Sequence, residues 1–232
     1  MPKKLGSGLF INYANSLIEA SYKLSLNEQR VIMAYAAKLD DQKPLPKDNL
    51  FELTAEEFSE LCSVDTKSSY KEMEKMADNL YERDILSIAG HVKKRMRWVY
   101  SAEYVSCEGK LRLEFSPIVT PYLTLLHQWF TKYHIEDVAK LQSVYHYRLY
   151  EMLMRFRDMG ILVVTLDDFR ERLQLGSKYT RFSNLKARII DPAVNEISAK
   201  TPFEVSWGVF RKDRVVQQLE FRFKVKAQMS LL

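Results

Sequence analysis

The sequence predicts an α+β chain built from two similar domains in tandem, and three observations carry that prediction. The stretches Leu53-Thr54-Ala55-Glu56-Glu57-Phe58-Ser59-Glu60 and Val164-Thr165-Leu166-Asp167-Asp168-Phe169-Arg170-Glu171, offset by 111 positions, share one pattern. Each runs an apolar residue, Thr, an acidic pair and Phe, and a repeat of this kind organises the whole chain. Downstream of both stretches a helical period gives way to β-type sequence. The 232 residues are 47% hydrophobic and 28% charged. That balance suits a packed core under a charged surface, and at roughly 100 to 150 residues per domain the length accommodates two domains.

The elements follow in the same order in both copies. Ser25-Leu26-Asn27-Glu28-Gln29-Arg30-Val31-Ile32-Met33 resembles Ser143-Val144-Tyr145-His146-Tyr147-Arg148-Leu149-Tyr150-Glu151: an N-cap serine, an Arg five residues on, then apolar residues. Here the offset is 118, and the extra seven positions fit a longer loop around Asp41 to Asp48, where the second copy has only Met159-Gly160. Thr54 and Thr165, each with an acid three positions on, open short helices in the manner of a capping box, with acids placed where the helix dipole favours them. A polar turn follows, Ser63 to Lys67 and Gln174 to Lys178, and then a second helix. Its apolar stripe is Met73, Met76, Ala77 and Leu80 in the first copy, and Phe182, Leu185, Ile189 and Ala193 in the second.

Strands complete each copy. The first offers Ile85 to Ile88, Met96 to Tyr104 and Leu111 to Phe115. The second offers Phe203 to Phe210 and Val215 to Phe223, where Leu219, Phe221 and Phe223 alternate with Glu220 and Arg222. Helix, strand, helix, turn, helix and hairpin is the order of a winged helix-turn-helix. The expected architecture is therefore two tandem winged-helix domains related by an internal repeat, over 10–125 and 126–232, behind a flexible tail over 1–9. The topology alone also fits two α+β domains with no nucleic-acid role.

Composition excludes several classes. Gly and Pro together are 14 residues, which argues against glycine-rich cofactor cradles. Cys62 and Cys107 are too few for a disulfide framework or a Cys-rich zinc site, so a reducing compartment is the default. Met1-Pro2-Lys3-Lys4-Leu5-Gly6 lacks the apolar stretch of a secretory signal, and no run of apolar residues is long enough to cross a membrane. A cytoplasmic chain is expected. The net charge of +5 is by itself a weak pointer to nucleic acid. Its distribution says more, because residues 151–232 hold 15 basic and 10 acidic residues while 1–150 are balanced at 20 each.

A helix that enters a DNA groove needs one apolar stripe and an opposite face of cations and amides. In the second copy Arg181, Asn184 and Arg188 share such a face. Lys178, Arg181, Lys186 and Arg188 bring four positive charges with no acid between 178 and 190. Tyr179, Thr180 and Ser183 add hydroxyls at the helix start, and Lys186, near the apolar border, is expected to snorkel outward. The equivalent helix of the first copy sets Lys71 and Lys75 against Glu72, Glu74, Asp78 and Glu82, and an acidic face is repelled by a duplex. Two basic turns read as wings that touch phosphates: Lys93-Lys94-Arg95-Met96-Arg97, at the start of the first copy's long hairpin, and Arg211-Lys212-Asp213-Arg214 in the second. Each also fits a solvated turn that keeps an edge strand from aggregating.

No catalytic constellation is expected. Gly6, Gly8, Gly90, Gly109, Gly160, Gly176 and Gly208 do not form the phosphate-cradling Gly-x-x-x-x-Gly-Lys-Ser/Thr spacing. His91, His127, His134 and His146 contain no His-x-His pair of the kind a metal-dependent nicking enzyme uses. The acidic pairs Glu56-Glu57 and Asp167-Asp168 are better explained by capping than by acid–base chemistry. No metal and no cofactor is expected.

Three segments carry a resemblance to the initiator replication proteins of iteron-containing bacterial plasmids. They are Asn15-Ser16-Leu17-Ile18-Glu19-Ala20-Ser21-Tyr22-Lys23-Leu24-Ser25 with Glu28-Gln29-Arg30, Phe130-Thr131-Lys132-Tyr133 with Arg148-Leu149-Tyr150-Glu151-Met152-Leu153, and Asn184-Leu185-Lys186 to Asn195-Glu196-Ile197. The resemblance spans about Asn12 to Lys226. It implies a protein that binds directly repeated origin sites through its second domain, with a recognition helix at Arg181 to Ile190, and that forms homodimers through its first. In such proteins monomers help to melt the origin and recruit the host initiation ATPase, helicase and chaperones, and dimers repress their own gene or pair origins. A plain transcriptional regulator on the same scaffold, or a protein-interaction module with an incidental basic face, remains the alternative.

Overall fold

A computed structural model describes residues 10–39, 48–62, 65–89, 91–124 and 129–227. The expected tail over 1–9 and most of the expected long loop at 41–48 lie outside these residues. The chain divides into two compact units, Met1–Ala139 and Lys140–Leu232.

The first unit runs β1 (Phe10–Ala14), α1 (Asn15–Glu19), β2 (Ser21–Tyr22), α2 (Leu26–Lys38), β3 (Leu50–Thr54), α3 (Ala55–Cys62), α4 (Thr66–Tyr81), β4 (Asp84–Ala89), β5 (Val92–Arg97), β6 (Val99–Val105), β7 (Lys110–Phe115), a 3₁₀ turn (Thr120–Leu123), β8 (Phe130–His134) and α5 (Ile135–Ala139). The second runs α6 (Val144–Arg155), β9 (Ile161–Thr165), α7 (Leu166–Arg172), α8 (Phe182–Leu185), a π turn (Lys186–Ile190), α9 (Asp191–Lys200), β10 (Phe203–Lys212) and β11 (Val215–Val225). The same antiparallel three-stranded sheet occurs in both, ordered β3-β7-β6 in the first and β9-β11-β10 in the second. Each unit is thus a winged helix, and the repeat holds in three dimensions.

Helix starts are fixed by the serines and threonines that the repeat singles out. The Glu28 N–H donates to Ser25 Oγ at 3.2 Å while the Ser25 N–H donates to the Glu28 carboxylate at 2.8 Å. Thr54 and Glu57 make the same reciprocal box at 3.2 and 3.0 Å. Ser143 accepts from the Tyr145 N–H, and Thr165 from the Asp168 N–H at 3.1 Å. Each such cap is worth about 1 kcal/mol. The core of the first unit gathers Val31, Ile32, Leu53, Phe58, Met73, Leu80, Trp98 and Phe115, with Tyr35 stacked on Phe115 at 3.8 Å between centroids. The second gathers Tyr150, Leu153, Phe169, Leu185, Ile189, Ile197, Leu219 and Phe221.

The sequence divides the domains at 125/126, whereas the compact units divide at 139/140. β8 pairs with β1 from Phe10 opposite His134 to Ala14 opposite Phe130, and the Asn15 N–H donates to the Trp129 carbonyl at 3.0 Å. This long-range ladder carries 129–139 into the first unit. Divided there, Lys140–Leu232 holds 17 basic and 10 acidic residues and Met1–Ala139 holds 18 and 20. The charge asymmetry sharpens accordingly.

Candidate nucleic-acid interface

The surface begins where α7 turns toward the next helix. Arg172 grips Asp168 one turn back with two hydrogen bonds of 2.6 and 3.0 Å. Beyond it the chain reverses through left-handed conformations at Gln174 (φ 49°), Gly176 (φ 52°) and Tyr179 (φ 54°). Such a conformation is strained for a bulky residue like tyrosine. The Arg170 guanidinium holds the turn together by donating to the carbonyls of Gly176 (3.0 Å), Lys178 (2.7 Å) and Tyr179 (2.8 Å). A planar fork of donors suits three converging carbonyls, as a lysine ammonium would not. Arg170 sits inside the repeated motif, yet nothing in the spacing marks it as the residue that shapes this turn.

From Phe182 to Lys200 the backbone follows one helical path through α8, the π turn and α9. Leu185, Ile189, Ile190, Ala193, Val194 and Ile197 are buried against the unit's core. Arg181, Ser183, Asn184, Lys186 and Arg188 are exposed, as is Lys178 in the turn before them, while Tyr179 is half-buried. The exposed Lys186 places its Nζ over the Trp207 ring, 5.8 Å from the centroid. Among the described residues the side chains of Lys178, Arg181, Asn184 and Arg188 have no hydrogen bond or ion pair within the protein, so their donors face solvent.

A row of aromatic rings joins this helix to the sheet. Phe182 lies against Trp207 (6.4 Å), Trp207 against Phe221 (6.3 Å) and Phe221 against Phe169 (6.0 Å). Trp207 Nε1 donates to Asp191 Oδ1 at 3.1 Å, pinning the middle of the helix to β10. At the end of the hairpin, Asp213 (φ 50°) and Arg214 (φ 67°) form a tight turn, and Arg214 occupies a conformation usually given to glycine. The Arg211 guanidinium donates to the Arg214 carbonyl at 3.2 Å and lies 5.9 Å from the Phe182 ring centroid. It therefore bridges the hairpin tip to the helix start, and with Lys212 and Arg214 it extends the basic surface.

The first unit differs in two respects. Its hairpin equivalent to β10–β11 is β6–β7, whose turn is Ser106 to Gly109, and there Glu108 pairs with Lys110 (3.0 Å) and Arg112 (3.6 Å). Lys93, Lys94, Arg95 and Arg97 are not at the start of that hairpin, as the sequence suggests, but on β5, the edge strand of a separate sheet ordered β2-β4-β5. The chain breaks at the fully buried Trp98, which ends β5 before β6 begins. Much of this charge is already engaged. Arg95 pairs with Asp84, Arg97 donates to the Tyr81 carbonyl at 2.9 Å and pairs with Glu82 at 3.3 Å, and Lys94 donates to the Tyr122 hydroxyl at 3.2 Å. Helix α4 keeps the acidic residues read from sequence.

Helix α9 is anchored below the basic surface. Glu196 takes hydrogen bonds from Lys200 (2.6 Å) and the Gln142 N–H (3.2 Å) and meets His146 Nδ1 on α6. Burial favours its neutral form, but the bonds from His146, Lys200 and Gln142 prevail and hold the carboxyl below its ordinary range. Burial, aided by the nearby Tyr179, pushes the Tyr145 phenol upward. Among the described residues no group of three or more His, Cys, Asp or Glu could hold a metal ion, and no helix is long and apolar enough to cross a membrane.

Comparison with known proteins agrees with this anatomy. Residues 10–154 match the family model described as initiator replication protein, WH1, and residues 165–223 the one described as initiator Rep protein, WH2. A replication initiation protein of Escherichia coli is 25% identical over 97% of this chain and 73% of its own length. The PI protein of Escherichia coli is 24% identical over 93% of this chain and 82% of its own. A crystal structure of the Pi initiator protein in complex with iteron DNA superposes with a TM-score of 0.77, at 22% identity, covering 97% of this chain and 99% of that one.

Proposed function

The chain belongs to the initiator replication protein family, and from that premise we propose that it starts plasmid replication by binding directly repeated origin sites, iterons, in double-stranded DNA. This family is one of DNA-binding initiators and not of enzymes. The observation that carries the reading is the second unit's exposed face of Arg181, Asn184 and Arg188, whose donors have no partner among the described residues. Lys178 lies beside that face, with Tyr179, Ser183 and Lys186, and the tip Arg211, Lys212 and Arg214 is joined to it through Phe182. The helix residues read base edges in the major groove, where arginine suits guanine and asparagine adenine. The turn and hairpin cations hold phosphates and set the register. The Pi initiator, similar in fold, is bound to iteron DNA in its crystal structure.

The protein acts without catalysis, in the cytoplasm where plasmid DNA lies. The first unit mediates homodimerisation, and the dimer represses the chain's own gene. The cations of β5 make auxiliary phosphate contacts, with Lys93 the most available. Opening of the origin is completed by the host initiation ATPase, helicase and chaperones. Footprinting on the DNA that flanks the gene tests the reading. Protection of tandem repeats, lost in the Arg181→Ala/Arg188→Ala double variant, is the expected result. Protection of a single inverted repeat at the promoter would make the protein a regulator, and unchanged binding by the double variant would sink the groove assignment.

A further inference from the structure

The π turn in the recognition helix is unusual for its position. The Asp191 N–H bonds to the Lys186 carbonyl, five residues back instead of four, and the residues on either side keep right-handed helical dihedrals. Pro192 follows immediately. It has no N–H to offer the Arg188 carbonyl, and in a regular helix its ring would collide with that group. A wide turn in mid-helix is costly and tends to mark functional sites.

Its consequence is a change of phase. An unbroken α-helix carried back from the buried Ile190, Ala193, Val194 and Ile197 at about 100° per residue would aim Ser183 and Lys186 at the core and turn Leu185 outward. The opposite is found: Leu185 is 0% exposed, while Ser183 and Lys186 face solvent. The extra residue in the turn therefore rotates the segment carrying Arg181, Asn184 and Lys186 relative to α9. That helix is itself fixed by Asp191 to Trp207 and by Glu196 to His146. A single one-residue step thus decides which side chains meet DNA.

Resting on the DNA-reading function above, we propose that the π turn at Lys186–Ile190, with Pro192 as its lock and Asp191–Trp207 as its anchor, is the element that determines sequence specificity. It sets the phase between Arg181/Asn184 and Arg188, so that all three reach one stretch of groove. Pro192, Asp191 and Trp207 are positioning residues and need touch no base.

The test uses the full chain and two labelled duplexes, one carrying the repeats that flank its gene and one of scrambled sequence, with thermal melting alongside. Insertion of one alanine after Ala187, an exposed residue in the wide turn, turns the segment carrying Arg181 and Asn184 by about 100° relative to α9. The expected result is a cooperative melt, binding to the scrambled duplex within about threefold of native, and a preference for the repeats reduced roughly 10- to 100-fold, the equivalent of losing a base-specific contact. Pro192→Ala, which restores the missing N–H and changes no exposed group, is expected to lower the preference roughly 3- to 10-fold at unchanged scrambled binding. A folded insertion variant with native preference overturns the proposal. So does native preference in Pro192→Ala if the insertion variant fails to melt cooperatively. A native chain that does not distinguish the two duplexes overturns the DNA-reading function, and this inference with it.

Discussion

Salt titration of Lys212→Ala/Arg214→Ala examines the electrostatic half of the interface. Of the basic side chains on the second unit's candidate surface, Lys178, Arg181, Lys186, Arg188, Lys212 and Arg214 have no intramolecular hydrogen bond or ion pair among the described residues, whereas Arg170, Arg172 and Arg222 are committed. Each cation that neutralises a phosphate contributes about −0.9 to the slope of log K against log salt, so with Arg181 and Arg188 on base edges the remaining four give a slope of about −3.6. Raising salt from about 50 to about 200 mM should then weaken binding roughly 10²-fold. The double variant removes two of the four and should flatten the slope by about 1.8, equally on cognate and scrambled duplexes. Asn184→Ala carries no charge change and should leave the slope alone while costing about 1–3 kcal/mol on the cognate duplex only. Fluorescence anisotropy at four or five salt concentrations measures both. A native slope shallower than about −2, or a slope unmoved in the double variant, would refute the assignment of the hairpin tip to phosphates.

Arg170→Lys should destabilise the second unit by about 1–3 kcal/mol in urea melts, because one ammonium cannot serve the three carbonyls the guanidinium holds, and should weaken cognate binding with it. Gly160→Ala should cost about 1–3 kcal/mol, since Gly160 has φ 66° and an added Cβ would lie 2.9 Å from the Phe223 carbonyl oxygen. Gly208→Ala, in open space, is the control expected to melt as the native chain does. Glu196 titrates below its ordinary value of 4.5, so its stabilisation is complete above that value and is lost as pH falls through the lower folded-state value. Glu196→Gln should therefore melt at lower temperature near neutrality and show a flatter acid limb than the native chain.

Local chemistry was legible in the sequence wherever it acts over a few residues. Ser25, Thr54, Ser143 and Thr165 cap helices because a hydroxyl placed before an apolar period can reach a backbone N–H three residues on, or two in the case of Ser143. Of the apolar stripe read from the spacing, Leu185, Ile189 and Ala193 are buried and Phe182 is half-buried, and Arg181, Asn184 and Arg188 are exposed, but the wide turn that lets Leu185 share the core with Ile190 and Ile197 left no mark in that spacing. Lys93 to Arg97 were misplaced for a long-range reason: whether a β-type run continues or breaks depends on where Trp98 is buried, and that is decided by the opposing elements. The boundary near 139 was hidden in the same way, because β8 finds β1 more than a hundred residues back along the chain.

The sequence by itself determined the repeat, the caps, the order of elements and the charge asymmetry between the two halves, all properties carried by residue type and short spacing. Tertiary structure decided how those charges are used. Arg170 and Arg172 are engaged in the turn and the helix and Arg95 and Arg97 within their own unit, whereas the side chains of Lys178, Arg181 and Arg188 have no hydrogen bond or ion pair among the described residues. It also decided the phase of the basic helix, where a wide turn lets Leu185 be buried together with Ile190 and Ile197, residues that a regular helix would direct to different sides.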